Sequence, residues 1–318
     1  MQAQPIVIAI ALDGRYAPWG ATLLRSCILA NPSSRMCFEI VHDRTLSEED
    51  CGRLAETATS DHSSVRFHAV ASHDLPELPA SPTFGPIVWL RFCLPDLLAD
   101  RSRALYLDSD TLVLSDLHEL WETPLDPHPL AAVANVVEAS ARPHVAALGI
   151  QYPGGFFNSG VLLMDLDRMR AEQSSNQLFE AAADLGERLL WPDQDALNVV
   201  FAGRWLPLHP RWNTQNIFWA WRQWAVEVFG EAAVEEAIRQ PGIRHFEGPS
   251  LSKPWHYLCP YPGRKEHRAL LAETPWAHMP LEDKTAATWF LRLFPGQLRY
   301  RAYARLLQAR TRVQATHA

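Results

Sequence analysis

Asp108 and Asp110 stand one residue apart at the end of the apolar, β-prone run Ala104-Leu105-Tyr106-Leu107. In a strand, residues i and i+2 share a face, so the two carboxylates emerge together. Side by side they repel, and each makes the other harder to ionise. A divalent cation between them removes the conflict, and carboxylate oxygens suit Mg²⁺ or Mn²⁺. Such a cation commonly holds a phosphorylated substrate. The plainer alternative is a polar turn closing a strand, since a D-x-D is short and matches by chance.

Four further groups of residues carry donors or charge. In Phe157-Asn158-Ser159-Gly160, Asn and Ser precede an apolar strand and can serve a hydroxylated ligand, while Gly160 permits close approach. In Trp191-Pro192-Asp193-Gln194-Asp195, Asp193 reads structurally as a helix N-cap after Pro192. His245, followed by Phe246-Glu247-Gly248, ends a short strand and can be a third cation ligand or a satisfied structural histidine. Lys253 nearby can neutralise phosphate. Arg91, ahead of the D-x-D strand, can reach phosphate or sugar, or form a helix-surface ion pair.

The elements that must position these residues alternate. Strands are expected at residues 6–11, 37–41, 65–70 and 104–107, and helices at 18–29, after the Ser47 cap, and at 87–98. That order predicts an α/β fold with a parallel sheet, whose ligands bind beyond the carboxyl ends of the strands. Asp13 lies at one such end and the Asp108/Asp110 pair at another. Beyond Asp110 the alternation changes. Strands are expected at 130–136 and 156–164, a helix at 193–201, extended chain at 204–208, an aromatic then helical segment at 213–239, and a short strand at 242–246. Helix is expected from 280 to the end. Residues 1–280 read as one domain and 281–318 as a helical extension.

The 318 residues are 47% hydrophobic and 20% charged, enough for a large core. A net charge of −7 argues against general nucleic-acid binding. The five cysteines are scattered, with no CxxC pair, which fits a reduced, cytoplasmic setting rather than a zinc cage. The apolar run at 6–12 is too short for a signal peptide, and no stretch has the length of a transmembrane helix. The tail is different. From Lys284 onward there are seven Lys or Arg and no acid, interleaved with Trp, Phe, Tyr and Leu. That composition suits an interfacial membrane anchor, in preference to an amphipathic helix packed on the domain. The cluster Trp212, Phe218, Trp219, Trp221 and Trp224 suits sugar stacking, core packing or a lid.

Taken in order, Asp13, Arg91, LYLDSDTLVL (105–114), FNSGVLLMDL (157–166), DQDALN (193–198) and HFEG…KPW (245–255) resemble the retaining glycosyltransferases of family 8. The likeness is strongest to bacterial lipopolysaccharide galactosyl- and glucosyltransferases. It implies a GT-A fold with a mixed, mainly parallel sheet, a UDP-glucose or UDP-galactose donor, Mn²⁺ or Mg²⁺, and a glycan or lipid-linked saccharide acceptor. By the same likeness the metal ligands are Asp108, Asp110 and His245. The uracil contact is Asp13. The other donor contacts are Arg91, Ser109, Asn135, Asn158 and Lys253, and the Asp193/Gln194 pair lies below the sugar. The basic tail resembles a membrane-associating tail, implying peripheral contact with the inner face of the cell membrane.

Three positions depart from the family pattern. Arg15 replaces a frequent Asn, Asn135 replaces a donor-sugar Asp, and the loop from Gly248 to Lys253 is two residues longer. Gln194 is a poor nucleophile, so front-face attack by the acceptor hydroxyl is expected in place of a covalent intermediate. Two rival expectations remain. One is a sugar-nucleotide-binding pseudoenzyme. The other is a haloacid-dehalogenase-like phosphatase, whose hhhDxDxT motif LYLDSDT also satisfies, although three strands precede it here.

Overall fold

The computed structural model describes residues 4–79, 85–295 and 303. The chain divides into two compact units, Met1–His245 and Phe246–Ala318.

In the first unit, β1 (Ile6–Leu12), β2 (Met36–His42), β3 (Ser63–Ala69), β4 (Arg103–Leu107), β6 (Leu130–Ala134), β7 (Phe157–Asp165) and β8 (Trp205–Pro207) form one sheet. The order is β3-β2-β1-β4-β7-β6-β8. β1, β2, β3 and β4 run parallel, β7 is antiparallel to both β4 and β6, and β8 is parallel to β6. Burial follows position in the sheet. The central strands β4 and β7 are apolar and almost wholly buried. The edge strand β3 alternates between covered and exposed residues, as a half-covered strand does. Pro207 sits on the other edge, where a missing backbone donor is tolerated.

The single reversed strand explains how the chemistry-bearing residues meet. β1 and β4 deliver their carboxyl ends to one edge of the sheet. β7, running the other way, delivers its first residues there: Leu107 pairs with Val161, and the Asp108 N–H donates to Gly160 O at 2.8 Å. At the end of β6, the Asn135 N–H donates to Phe156 O at 2.7 Å. Asp13, Asp108, Asn135, Asn158 and Ser159 therefore all belong to that edge.

A second, two-stranded sheet pairs β5 (Thr111–Val113) with β9 (Ile243–His245), setting Thr111 opposite His245. The turn into β5 is closed by Thr111, whose N–H and hydroxyl both donate to Asp108 O. Residues 213–216 run beside β9: the Thr214 N–H donates to Ile243 O and the His245 N–H to Thr214 O. Arg244, fully buried, donates to Thr214 O and His245 O and lies 4.2 Å over the Trp219 ring.

The segment expected as a helix at 87–98 is instead a 3₁₀ turn, Pro86–Cys93, continuing into one α-turn, Leu94–Leu97. Pro95 lacks the N–H a continuous α-helix would use, and the tighter winding aims Arg91 inward.

In the second unit, Leu251, Tyr257, Leu258 and Tyr303 pack together with Leu281 and Leu291. Helices span Arg264–Leu271 and Ala286–Leu291, the latter capped by Thr285. The helix expected from 280 to the end is described only over this second stretch; residues 296–302 and 304–318 of the basic tail lie outside the described residues. Within the described part, Trp289, Phe290 and Leu293 are exposed, whereas Tyr303 is buried and within 2.9 Å of His256 Nε2.

Candidate active site

Two strand ends and one cross-sheet pairing build the centre. Asp108 and Asp110 follow β4, and the β5–β9 ladder sets His245 against them. His245 Nε2 lies 3.2 Å from Asp110 Oδ1 and 3.9 Å from Asp108 Oδ2. One ligand atom from each of the three residues falls within a 4.8 Å group, the only such cluster of His, Cys, Asp or Glu among the described residues. The histidine is 4% exposed, against 23% and 12% for the Asp108 and Asp110 side chains. The carboxylates therefore face the open side.

The packing leaves no spare room behind them. A Cβ on Gly160 would lie 2.3 Å from His245 Cε1 and 2.8 Å from Asp108 Oδ2. Only glycine lets β7 pass this close to both ligands. Two carboxylate oxygens and one imidazole nitrogen are a donor set that fits Mn²⁺ or Mg²⁺.

Arg91 ties the cluster to Asp193. Its Nη2 donates to Asp108 Oδ1 at 2.9 Å, and its Nη1 to Ser159 O at 2.9 Å, 3.0 Å from Asp193 Oδ2. The guanidinium also lies 4.6 Å from the centre of the Tyr106 ring. Burial alone would lower the Arg91 pKa. The carboxylates of Asp108 and Asp193 outweigh it, and the group lies above its ordinary value. Burial, reinforced by the charge of Asp108, raises the Asp193 carboxyl above the ordinary carboxylate value despite Arg91 and the Ser159 hydroxyl.

Asp193 is not the N-cap of its helix, Pro192–Val200. Trp191 holds that position without a side-chain cap. Asp195 Oδ2 accepts instead from the N–H groups of Leu190 and Trp191, at 2.8 and 3.0 Å, and lies 2.9 Å from His144 Nε2. Asp193, inside the first turn, faces Arg91 and accepts from Ser159 Oγ at 2.9 Å. Gln194 Oε1 accepts from the Ser159 N–H at 3.1 Å.

The amides form a second row. Asn158 Nδ2 donates to Asn135 Oδ1 at 3.2 Å, and Asn213 Nδ2 donates to Asn158 Oδ1 at 2.8 Å. Asn213 Oδ1 lies 3.0 Å from His245 Nδ1. Asn135, Asn158, His245, Asp110, Asp108, Arg91, Asp193 and Gln194 thus belong to one buried polar assembly. Asp13 stands at the end of β1, where it accepts from Arg15 and from the Tyr16 N–H. Ser109 is buried between the two carboxylates in sequence. Lys253 belongs to the second unit, where its Nζ donates to Phe246 O at 3.0 Å.

This arrangement matches a known family. The model of glycosyl transferase family 8 matches residues 7–259, most of the chain. The chain belongs to glycosyl transferase family 8. The phosphatase expectation falls with that assignment: the D-x-D pair follows the fourth strand of the chain, and Arg91 and Tyr106 both donate to Asp108 Oδ1. General stress protein A of Bacillus subtilis is 28% identical over 273 residues, covering 85% of this chain and 94% of that protein. Lipopolysaccharide 1,3-galactosyltransferase of Salmonella typhimurium is 24% identical over 300 residues, covering 93% and 84%. The galactosyltransferase LgtC, solved in complex with donor and acceptor sugar analogues, superposes with a TM-score of 0.72 at 23% identity over 91% of this chain and 100% of that one. That likeness establishes the GT-A fold.

Two members of this family 8 site escape the sequence reading. Tyr106, whose hydroxyl donates to Asp108 Oδ1 at 2.7 Å, shares the strand face of Asp108, so the period of two points to it. Asn213 carries no comparable signal, because it reaches His245 only through a segment that runs beside β9.

Proposed function

We propose that this family 8 glycosyltransferase is a metal-dependent, retaining hexosyltransferase. It moves glucose or galactose from a UDP-sugar to a glycan or lipopolysaccharide-type acceptor. The observation that carries this is the convergence of Asp108, Asp110 and His245 on one group of ligand atoms at the carboxyl edge of the sheet. Bound there, Mn²⁺ or Mg²⁺ supplies Lewis-acid stabilisation of the diphosphate leaving group.

The chain's own residues do the rest. Asp13 receives the uracil, exchanging its bond to Arg15 for one to the base. Arg91, Ser109, Asn135 and Asn158 line the donor, and Lys253 adds positive charge at the phosphates. Asp193 and Gln194 lie below the sugar. The Gln194 amide oxygen is already engaged by the Ser159 N–H, which supports a positioning role over a nucleophilic one. The acceptor hydroxyl then attacks the anomeric carbon on the leaving-group face as the bond to the diphosphate breaks, and the departing phosphate oxygen takes the hydroxyl proton, which gives retention without a covalent sugar–enzyme bond.

Residues 1–280 form the catalytic domain in this account. The extension at 281–318 brings the enzyme to the inner face of the cell membrane from the cytoplasm. The exposed Trp289, Phe290 and Leu293 suit that contact, and no helix among the described residues is long and apolar enough to cross a membrane.

Calorimetric titration with UDP tests the reading. Binding that requires Mn²⁺ and is lost in Asp108→Asn is the expected result. Binding that is indifferent to the metal, or absent with it, would refute the donor site.

A further inference from the structure

We infer that Asn213 is a positioning residue, which fixes a proton on His245 Nδ1 and so presents Nε2 to the cation. The inference rests on the metal site proposed above. It begins from a group whose role is not negotiable: the backbone N–H of Gly160 can only donate, and it points at Asn158 Oδ1 from 3.0 Å. That atom of Asn158 must therefore be the oxygen and not the amide nitrogen. The Asn213 atom 2.8 Å from the same oxygen must then be a donor, its Nδ2. The remaining atom of the Asn213 amide is the acceptor Oδ1, and it faces His245 Nδ1 at 3.0 Å. A proton on Nδ1 satisfies that contact, whereas a bare Nδ1 would set two lone pairs against each other. Nε2, on the far side of the ring, is left to face Asp110 and Asp108.

The relay is sealed. Asn213 is fully buried, and Asn158 and His245 are nearly so, so water does not readily substitute for a lost partner. It is also anchored to the fold, because the Thr214–Ile243 and His245–Thr214 backbone bonds hold the Asn213 segment against β9. Gly160 acts twice in it. Its N–H orients the amides, and its missing Cβ admits the His245 ring. Outer partners of this kind typically alter metal affinity about 10–100-fold when removed.

The test uses the full chain with ¹⁵N-labelled histidine imidazoles, and His245→Gln to assign the signal. The wild-type spectrum is expected to show a proton on His245 Nδ1 both without metal and with Mg²⁺. A bare Nδ1 in either state overturns the relay. Mn²⁺ binding, followed by electron paramagnetic resonance without any donor sugar, is expected to weaken about 10–100-fold in Asn213→Leu. Unchanged binding in Asn213→Leu overturns the positioning role. If the wild-type chain binds no Mn²⁺ yet holds the Nδ1 proton, the metal reading fails while the relay stands. The wild-type spectrum depends on no variant, so the claim survives a variant that does not fold.

Discussion

Two buried charge clusters sit in the same sheet, and they are built on opposite plans. Around Glu39 on β2, Arg66 and Arg101 donate to the carboxylate, His68 Nε2 lies 2.8 Å away, and Asp100 takes the far side of Arg66. Two carboxylates meet two guanidiniums and an imidazole, so the cluster neutralises itself. At the carboxyl edge, Asp108 and Asp193 share the guanidinium of Arg91, and Asp110 lies beside the His245 imidazole. There the charge of Asp108 acts on Asp193 against the attraction of Arg91. The titrations differ in sign accordingly. Burial pushes Glu39 up, but Arg66, His68 and Arg101 outweigh it and hold it below the ordinary value. Asp193, with burial and Asp108 against it, stays above. The Glu39 cluster serves the fold, whereas the cluster at the carboxyl edge brings two carboxylates and an imidazole together in a group suited to a divalent cation.

If that contrast is right, Asp110→Asn strikes function alone. We expect UDP release in the presence of Mn²⁺ to fall by about a thousandfold, the scale of a lost metal contribution of several kcal/mol. The melting temperature without metal should not fall, since one repelling charge is gone. Kinetics and a thermal melt on the same preparation check both halves. A variant that loses its fold would erase the distinction between the clusters.

Gly160→Ala is the next largest effect. The added methyl collides with His245 and Asp108, so Mn²⁺ affinity is expected to drop by at least about tenfold, the lower end for disturbed metal-site geometry. Mn²⁺ titration reads it directly. Unaltered affinity would mean that β7 does not crowd the ligands.

Glu39→Gln should show the reverse of Asp110→Asn: a loss of about 2 kcal/mol in stability for weakened charged hydrogen bonds, with Mn²⁺ affinity untouched. Chemical denaturation measures the first and resonance titration the second.

The smallest effects lie in pH dependence, and they have opposite signs. Glu39, depressed on folding, contributes stability that is present above its ordinary value near 4.5 and is lost as pH falls through the lowered folded value. Asp193, raised on folding, binds its proton more tightly in the folded chain. It therefore costs stability as pH rises from its ordinary value near 3.8 through the raised one. Melts across pH 3–7 should find that Glu39→Gln flattens the acid limb below about 4.5. Asp193→Asn should flatten a decline that sets in above about 3.8. The same limb flattening in both variants would dissolve the comparison.

Much of the site is legible in the sequence alone, for reasons that trace to particular residues. Asp108 and Asp110 are legible because the strand period puts i and i+2 together, and Gly160 because a glycine at the head of a buried strand marks a close approach. Arg91 is legible as a charge near the site, but its winding is not. The helical pattern of 87–98 does not reveal that a tighter turn aims the guanidinium inward. Asp193 looks like a cap because it follows Pro192, but the helix already begins at Pro192, which places Asp193 inside the first turn. Asn213 is invisible, since its partner lies 32 residues away across a β-bridge. Family resemblance supplies the expected roles of Asp13, Asn135 and Lys253, which spacing alone does not assign.

The measurement that bears most directly on the central claim is UDP release from a panel of UDP-sugars with and without Mn²⁺, comparing wild type with Asp110→Asn. Metal-dependent release from UDP-glucose or UDP-galactose, abolished in the variant, is the predicted result. Tight UDP binding with no release from any donor, even with saccharide acceptors supplied, would contradict it and leave a sugar-nucleotide-binding protein without turnover.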